Sequence, residues 1–111
     1  MTCDAGDIVV VAFPYIDIGV FKRRPALVLT AAARNAVAGE TLVAMITTAK
    51  ASAWLDDVAI EDLSTAGLRQ ACVVRMRFHS LANDEIGEKL GALSRPDRLR
   101  VRAALNQAVT L

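Results

Sequence analysis

Along most of this chain the apolar residues cluster or alternate with the period of strands, and only near its end with that of a helix. Asp7 to Phe13 (DIVVVAF) is a β-branched run that predicts a buried strand, closed by Pro14. Pro14 to Phe21, with Asp17 and Gly19, is expected to be a loop. Pro25 to Thr30 predicts a second strand, with Pro25 tolerable at its start. Ala31 to Glu40 is expected to be a connecting loop or short irregular turn, and Thr41 to Thr47 a third strand. Ala49 to Asp57 reads as a surface excursion whose Trp54 is expected to close over the core rather than to stack on a base. Val58 to Ile60 suits a short edge strand, and Leu63 to Leu68 a helical turn ended by Gly67. In Ala71 to Phe78 and just beyond, Val74, Met76 and Phe78 alternate with Arg75, Arg77 and His79, predicting one buried face and one basic face. Glu88 to Leu93 is a last strand, weakened by its glycines.

The period then changes. Ser94 and Asp97 resemble a capping box with Asp in place of Glu or Gln, and Pro96 fits a first helical turn. Val101, Ala104, Leu105, Ala108 and Val109 follow at helical spacing, with Arg95, Arg98 and Arg102 on the opposite edge. A helix placed after several strands covers one face of a sheet or barrel. The expected architecture is therefore mainly β (α+β), a small strand-rich barrel with a C-terminal helix, in a single domain over residues 1–111.

Composition narrows the function classes. A chain of 111 residues, 54% hydrophobic, supports one real core and argues against disorder. No apolar run reaches bilayer-spanning length, and the first residues lack a basic leader. Cys3 and Cys72 form no disulfide framework and no metal-binding spacing. A cytoplasmic protein with no membrane association is expected. The near balance of 13 Lys+Arg against 12 Asp+Glu argues against non-specific coating of nucleic acid. Positive patches remain available, because Lys22, Arg23 and Arg24 stand together and Arg75, Arg77 and His79 alternate.

With a single histidine, no two-histidine acid–base pair fits in one chain, and the common metal-nuclease and phosphate-loop motifs are absent. Two classes remain: a binding protein, or chemistry run on arginine and hydroxyls. RNA supplies its own nucleophile for the second. A protein need only align the 2′-OH, stabilise the anionic phosphorane and help the 5′-oxygen leave. Arginine's planar fork matches phosphate oxygens, and threonine adds a donor, with no metal or cofactor required.

The sequence blocks GDIVVVAFP (6–14) and KRRPALVL (22–29) resemble the opening of MazF/PemK-type toxins, the type II toxin–antitoxin endoribonucleases. The resemblance continues through AMITT (44–48), DLSTAGL (62–68), CVVR (72–75) and GALS (91–94), in family order over nearly the whole chain. It implies an SH3-like small β-barrel of the CcdB/PemK type, a homodimer, and sequence-selective cleavage of single-stranded RNA. The ends left would be a 2′,3′-cyclic phosphate and a 5′-hydroxyl. The partner implied is a cognate antitoxin whose acidic, partly disordered tail covers the basic groove.

The same resemblance places the catalytic arginine on Arg24 and the catalytic threonine on Thr47, with Thr48 as the fallback one residue away. Lys22, Arg23, Asp17, Thr48, Arg75, Arg77 and His79 are the candidate RNA contacts. Departures from the family pattern lie in the short Pro14–Arg24 segment, in Cys72 where relatives often have Ser, and around His79 and Ser80. The competing functions are a CcdB-like gyrase poison and a non-catalytic RNA-binding module of the same fold. Fold alone does not separate them.

Overall fold

In the computed structural model, residues 3–15, 20–50 and 53–111 are described, with only the backbone path for 13–15 and 20–22. The elements are β1 (Asp7–Tyr15), β2 (Val20–Val28), α1 (Ala32–Ala38), β3 (Glu40–Thr48), β4 (Val58–Ala59), α2 (Leu63–Ala66), β5 (Cys72–Ala82), β6 (Ile86–Ala92) and α3 (Arg95–Ala108). The strands form one antiparallel six-stranded sheet in the order β4-β5-β3-β2-β1-β6. The mainly β reading with a C-terminal helix holds. The ladder itself is open rather than a closed barrel, with β4 and β6 at its two ends.

The apolar runs in β1 and β2 do not alternate because these strands are covered on both faces, as continuous hydrophobic stretches require. On one face Ile8, Leu27, Ala44, Ile46 and Val74 join Leu93, Val101 of α3 and Ala66 of α2 in the main core. On the other, Val9, Val11, Ala26, Val28 and Val43 form a second, smaller cluster flanked by Cys3, Leu81 and Ile86. Met76 and Phe78 pack on the main core beside Val74, as the alternation in β5 requires. Val101 is buried and Leu105 half-buried, but Val109 is 59% exposed, so the helical stripe serves the core only through its first turns.

Several elements differ from expectation for identifiable reasons. β1 runs past Pro14 because the β1–β6 ladder ends at Val11, leaving an edge where proline is tolerated. β2 begins at Val20 rather than Pro25, so Lys22, Arg23 and Arg24 lie in a strand. Pro25 sits inside that strand, just before the β2–β3 ladder starts at Ala26. Ala31 to Glu40, expected to be irregular, contains α1, which ends on Gly39 in the left-handed conformation. Only Asn35 on α1 is buried, and its amide donates to Cys3 O (3.0 Å) and Thr30 O (2.9 Å) while Thr30 Oγ1 donates to its carbonyl. A helix anchored by one polar side chain has no apolar stripe to announce it.

The opening between the sheet's ends is filled by α2 and the start of α3. A Cβ at Gly91 on β6 would collide with Thr65 O and would stand 2.6 Å from the carbonyl carbon of Ala66, so α2 lies directly on that strand. Ser94 caps α3, its hydroxyl accepting from Asp97 N at 3.3 Å. The reciprocal half of the expected box is diverted. Asp97, 1% exposed, accepts instead from the amides of Glu61 (3.1 Å) and Asp62 (3.0 Å) and pairs with Arg100. Burial alone would push this carboxyl up. The hydrogen bonds from Asp62 and Glu61, the Arg100 charge and the Ser94 contact outweigh that and hold it below the ordinary aspartate value. Among the described residues, no helix is long and apolar enough to cross a membrane.

Candidate functional site

The second face of the sheet carries the candidate chemistry. In β2, Arg24 follows the parity of Ala26 and Val28, whose side chains belong to the smaller cluster, and its strand partner is Val11 of that cluster. In β3, Val43 belongs to the same cluster, and parity carries that face through Met45 to Thr47. The β2–β3 register pairs Val28 with Val43, Leu27 with Ala44 and Ala26 with Met45. The ladder ends there, and Arg24 and Thr47 each lie two residues beyond its last pair, on the same face. Both side chains are half-buried. A guanidinium and a hydroxyl thus share one face of neighbouring strands.

Thr48 goes the other way. It pairs with Cys72, and Cys72 belongs to the main core on the opposite face. Because successive strand residues point to opposite faces, a one-residue difference decides which threonine can stand beside Arg24. Burial pushes the Cys72 thiol up, which keeps it protonated.

β5 extends the same face. Thr47 pairs with Val73, and Val43 pairs with His79. Between them a register shift sets Arg75, Met76 and Arg77 against the single residue Met45. The basic alternation of β5 therefore joins Arg24 and Thr47 across three adjacent strands. His79 lies opposite a position four residues from Thr47, roughly 13 Å along the strand. Arg23 does not join this face. It is exposed on the other side of β2, with its Nη2 3.2 Å from where a Cβ at Gly87 would stand. The backbone of Lys22 pairs with Phe13, but its side chain is outside the described residues, as is the whole of Asp17.

Arg75 is 9% exposed and bound edge-on by a carboxylate. Its Nε donates to Asp57 Oδ1 at 3.1 Å and its Nη2 to Asp57 Oδ2 at 3.0 Å. Trp54, expected to close over the core, is instead 46% exposed, with the guanidinium carbons of Arg75 and Arg77 at 5.6 and 5.7 Å from its ring centre. Asp57 escaped the sequence reading. It precedes a two-residue strand, and nothing in its neighbourhood signals a partner 18 positions away. Among the described residues no three His, Cys, Asp or Glu side chains gather closely enough to hold a metal ion. The face can offer a phosphate one guanidinium, one hydroxyl and flanking cations.

Comparison with known proteins agrees with this fold. No curated protein matches the chain. Among solved structures, MazF from Deinococcus radiodurans superposes with a TM-score of 0.77 at 25% identity, over 100% of this chain and 99% of that one. The MazE–MazF complex of the same organism gives 0.74 at 26% identity, over 100% and 98%. An endoribonuclease from mycobacterial species, in complex with its cognate antitoxin, shares the fold with a TM-score of 0.73 at 20% identity, over 99% and 95%. Residues 4–109 match the model of the PemK-like, MazF-like toxins of type II toxin–antitoxin systems. On that match over nearly its whole length, the chain belongs to the PemK/MazF family of toxins.

Proposed function

We propose that this toxin is a sequence-selective endoribonuclease that cuts single-stranded RNA without a metal, leaving 2′,3′-cyclic phosphate and 5′-hydroxyl ends. The observation that carries the reading is that Arg24 and Thr47 share one sheet face on neighbouring strands, each two residues past the last β2–β3 pair. In the reaction the 2′-oxygen bonds to phosphorus as the bond to the 5′-oxygen breaks, and one proton passes overall from the 2′-hydroxyl to the leaving oxygen. Arg24 donates to the non-bridging oxygens as negative charge builds on the phosphorane, and the Thr47 hydroxyl adds a second donor. Both sit beside the apolar cluster of Val11 and Ala26, where such interactions are screened less than in water.

His79 is too far along the sheet to share a phosphate held by both Arg24 and Thr47. It and Arg77 fit contacts to flanking nucleotides, and Lys22 and Asp17 fit the neighbouring rim. Arg75, committed to Asp57, contributes shape more than charge.

The partners in this reading are single-stranded RNA and a cognate antitoxin whose acidic tail covers the basic face. The MazE–MazF and mycobacterial complexes support such a partner by likeness. A homodimer is proposed on the family resemblance and on the exposed Leu99 (57%) of α3 and Val109 just beyond it. Sedimentation showing only monomer at micromolar concentration would refute it.

The test of the activity is incubation with mixed-sequence single-stranded RNA in excess EDTA. Discrete fragments ending in cyclic phosphate are expected, and Arg24→Ala should abolish them while leaving the fold intact. Intact RNA with folded, antitoxin-free wild-type protein would remove the ribonuclease reading.

A further inference from the structure

We infer that Trp54 is a base-stacking residue of the RNA-binding face, held in place to take the base of a nucleotide adjoining the one that is cut. The inference rests on the ribonuclease reading of the same face and adds to it a residue that governs RNA affinity and sequence preference.

The geometry around the indole is built from both sides. Trp54 N donates to Asp57 Oδ2 at 3.1 Å, and Asp57 N donates back to Trp54 O at 3.2 Å, which closes the main chain into a fixed turn. The same carboxylate accepts from Nε and Nη2 of the buried Arg75. One aspartate therefore fixes the backbone of the tryptophan and the plane of the guanidinium beneath the ring. Asp56, immediately before it, adopts a left-handed backbone (φ 64°), consistent with a tightly specified turn.

Charge decides what this cluster can hold. Asp57 neutralises Arg75, so the group is a poor clamp for a phosphate. It presents flat, polarisable surface: an indole and two guanidinium groups. Aromatic rings and guanidinium planes are the surfaces on which unpaired bases stack. Arg77 is exposed and leaves one cation beside the ring for the backbone of the stacked nucleotide. Position agrees. Arg75 lies two residues along β5 from Val73, the strand partner of Thr47, or roughly 7 Å from it. Were Trp54 only a plug over the core, the residue would not be left nearly half exposed.

Trp54 is the only tryptophan, so its emission reports this position alone. The experiment titrates wild-type protein with an oligonucleotide of the cleaved sequence carrying 2′-deoxyribose throughout, which binds without reacting. In parallel, steady-state cleavage is measured for wild type, Trp54→Phe and Trp54→Ala. The expected result is emission quenching that saturates with binding. Trp54→Ala should raise KM about 5- to 150-fold with kcat within a few-fold of wild type, and Trp54→Phe should recover most of the loss. Unchanged emission on binding, or a KM for Trp54→Ala within two-fold of wild type, overturns the stacking role while leaving the ribonuclease reading intact. Absence of cleavage by wild type overturns the ribonuclease reading itself, and this inference with it.

Discussion

Asp97→Ala tests how α3 is fastened to the sheet. The carboxylate is almost fully buried and receives two main-chain amides and Arg100. Removing it strands the Glu61 and Asp62 amides inside the protein. Hydrogen bonds to a charged group contribute about 1.5–3 kcal/mol each, so the two amides represent about 3–6 kcal/mol. Part is offset because a buried carboxylate no longer has to be desolvated. Arg100 keeps Ala59 O at 2.9 Å and Glu61 Oε1 at 3.1 Å, so its charge is not abandoned. The net expected loss is about 3 kcal/mol at pH 7, out of the ~5–15 kcal/mol typical of a domain. A sign follows for pH. The folded carboxyl titrates below its unfolded value of about 3.9, so its stabilisation is fully present above that pH and is lost as pH falls through the folded value. The gap between wild type and Asp97→Ala should therefore be constant from pH 5 to 7 and narrow only below about 4. Urea unfolding followed by circular dichroism at several pH values measures it. A loss under 1 kcal/mol at pH 7, or a gap that does not narrow in acid, would refute this account of the joint.

Thr47→Ala is expected to lower kcat for RNA cleavage by about 10²–10³. Thr48→Ala, on the opposite face, should change it by less than about ten-fold, and the reverse ranking in single-turnover assays would show that the threonine assignment is off by one. Gly91→Ala forces a methyl group into α2, and overpacking of this kind costs about 1–3 kcal/mol. A thermal melt unchanged by Gly91→Ala would mean that α2 does not lie on β6 as described.

The sequence made the sheet legible where burial left a periodic trace. β3, β5, α2 and α3 were readable because Ile46, Val74, Ala66 and Val101 fall at the spacings of their elements. β2 was started too late because Pro25 looked like an entry, while its tolerance in mid-strand depends on where the β3 ladder begins. α1 left no trace because its one buried side chain is an asparagine. The site divides in the same way. Arg24 and Thr47 are candidates through resemblance alone, and what separates Thr47 from Thr48 is strand parity, which no local motif carries. The contact of Asp57 with Arg75 and the exposed pose of Trp54 arise from tertiary folding over a loop, where local sequence has no period to read.

The strands that carry Arg24 and Thr47 are clad in hydrocarbon on both sides, whereas Trp54 belongs to the segment that joins β3 to β4. On the proposed reading, reaction and base stacking are thus written into separable parts of the chain. Mutations in that joining segment would change which RNA is grasped without disturbing the strands that carry Arg24 and Thr47. A toxin built this way would drift to new targets by small steps, each intermediate still able to cut.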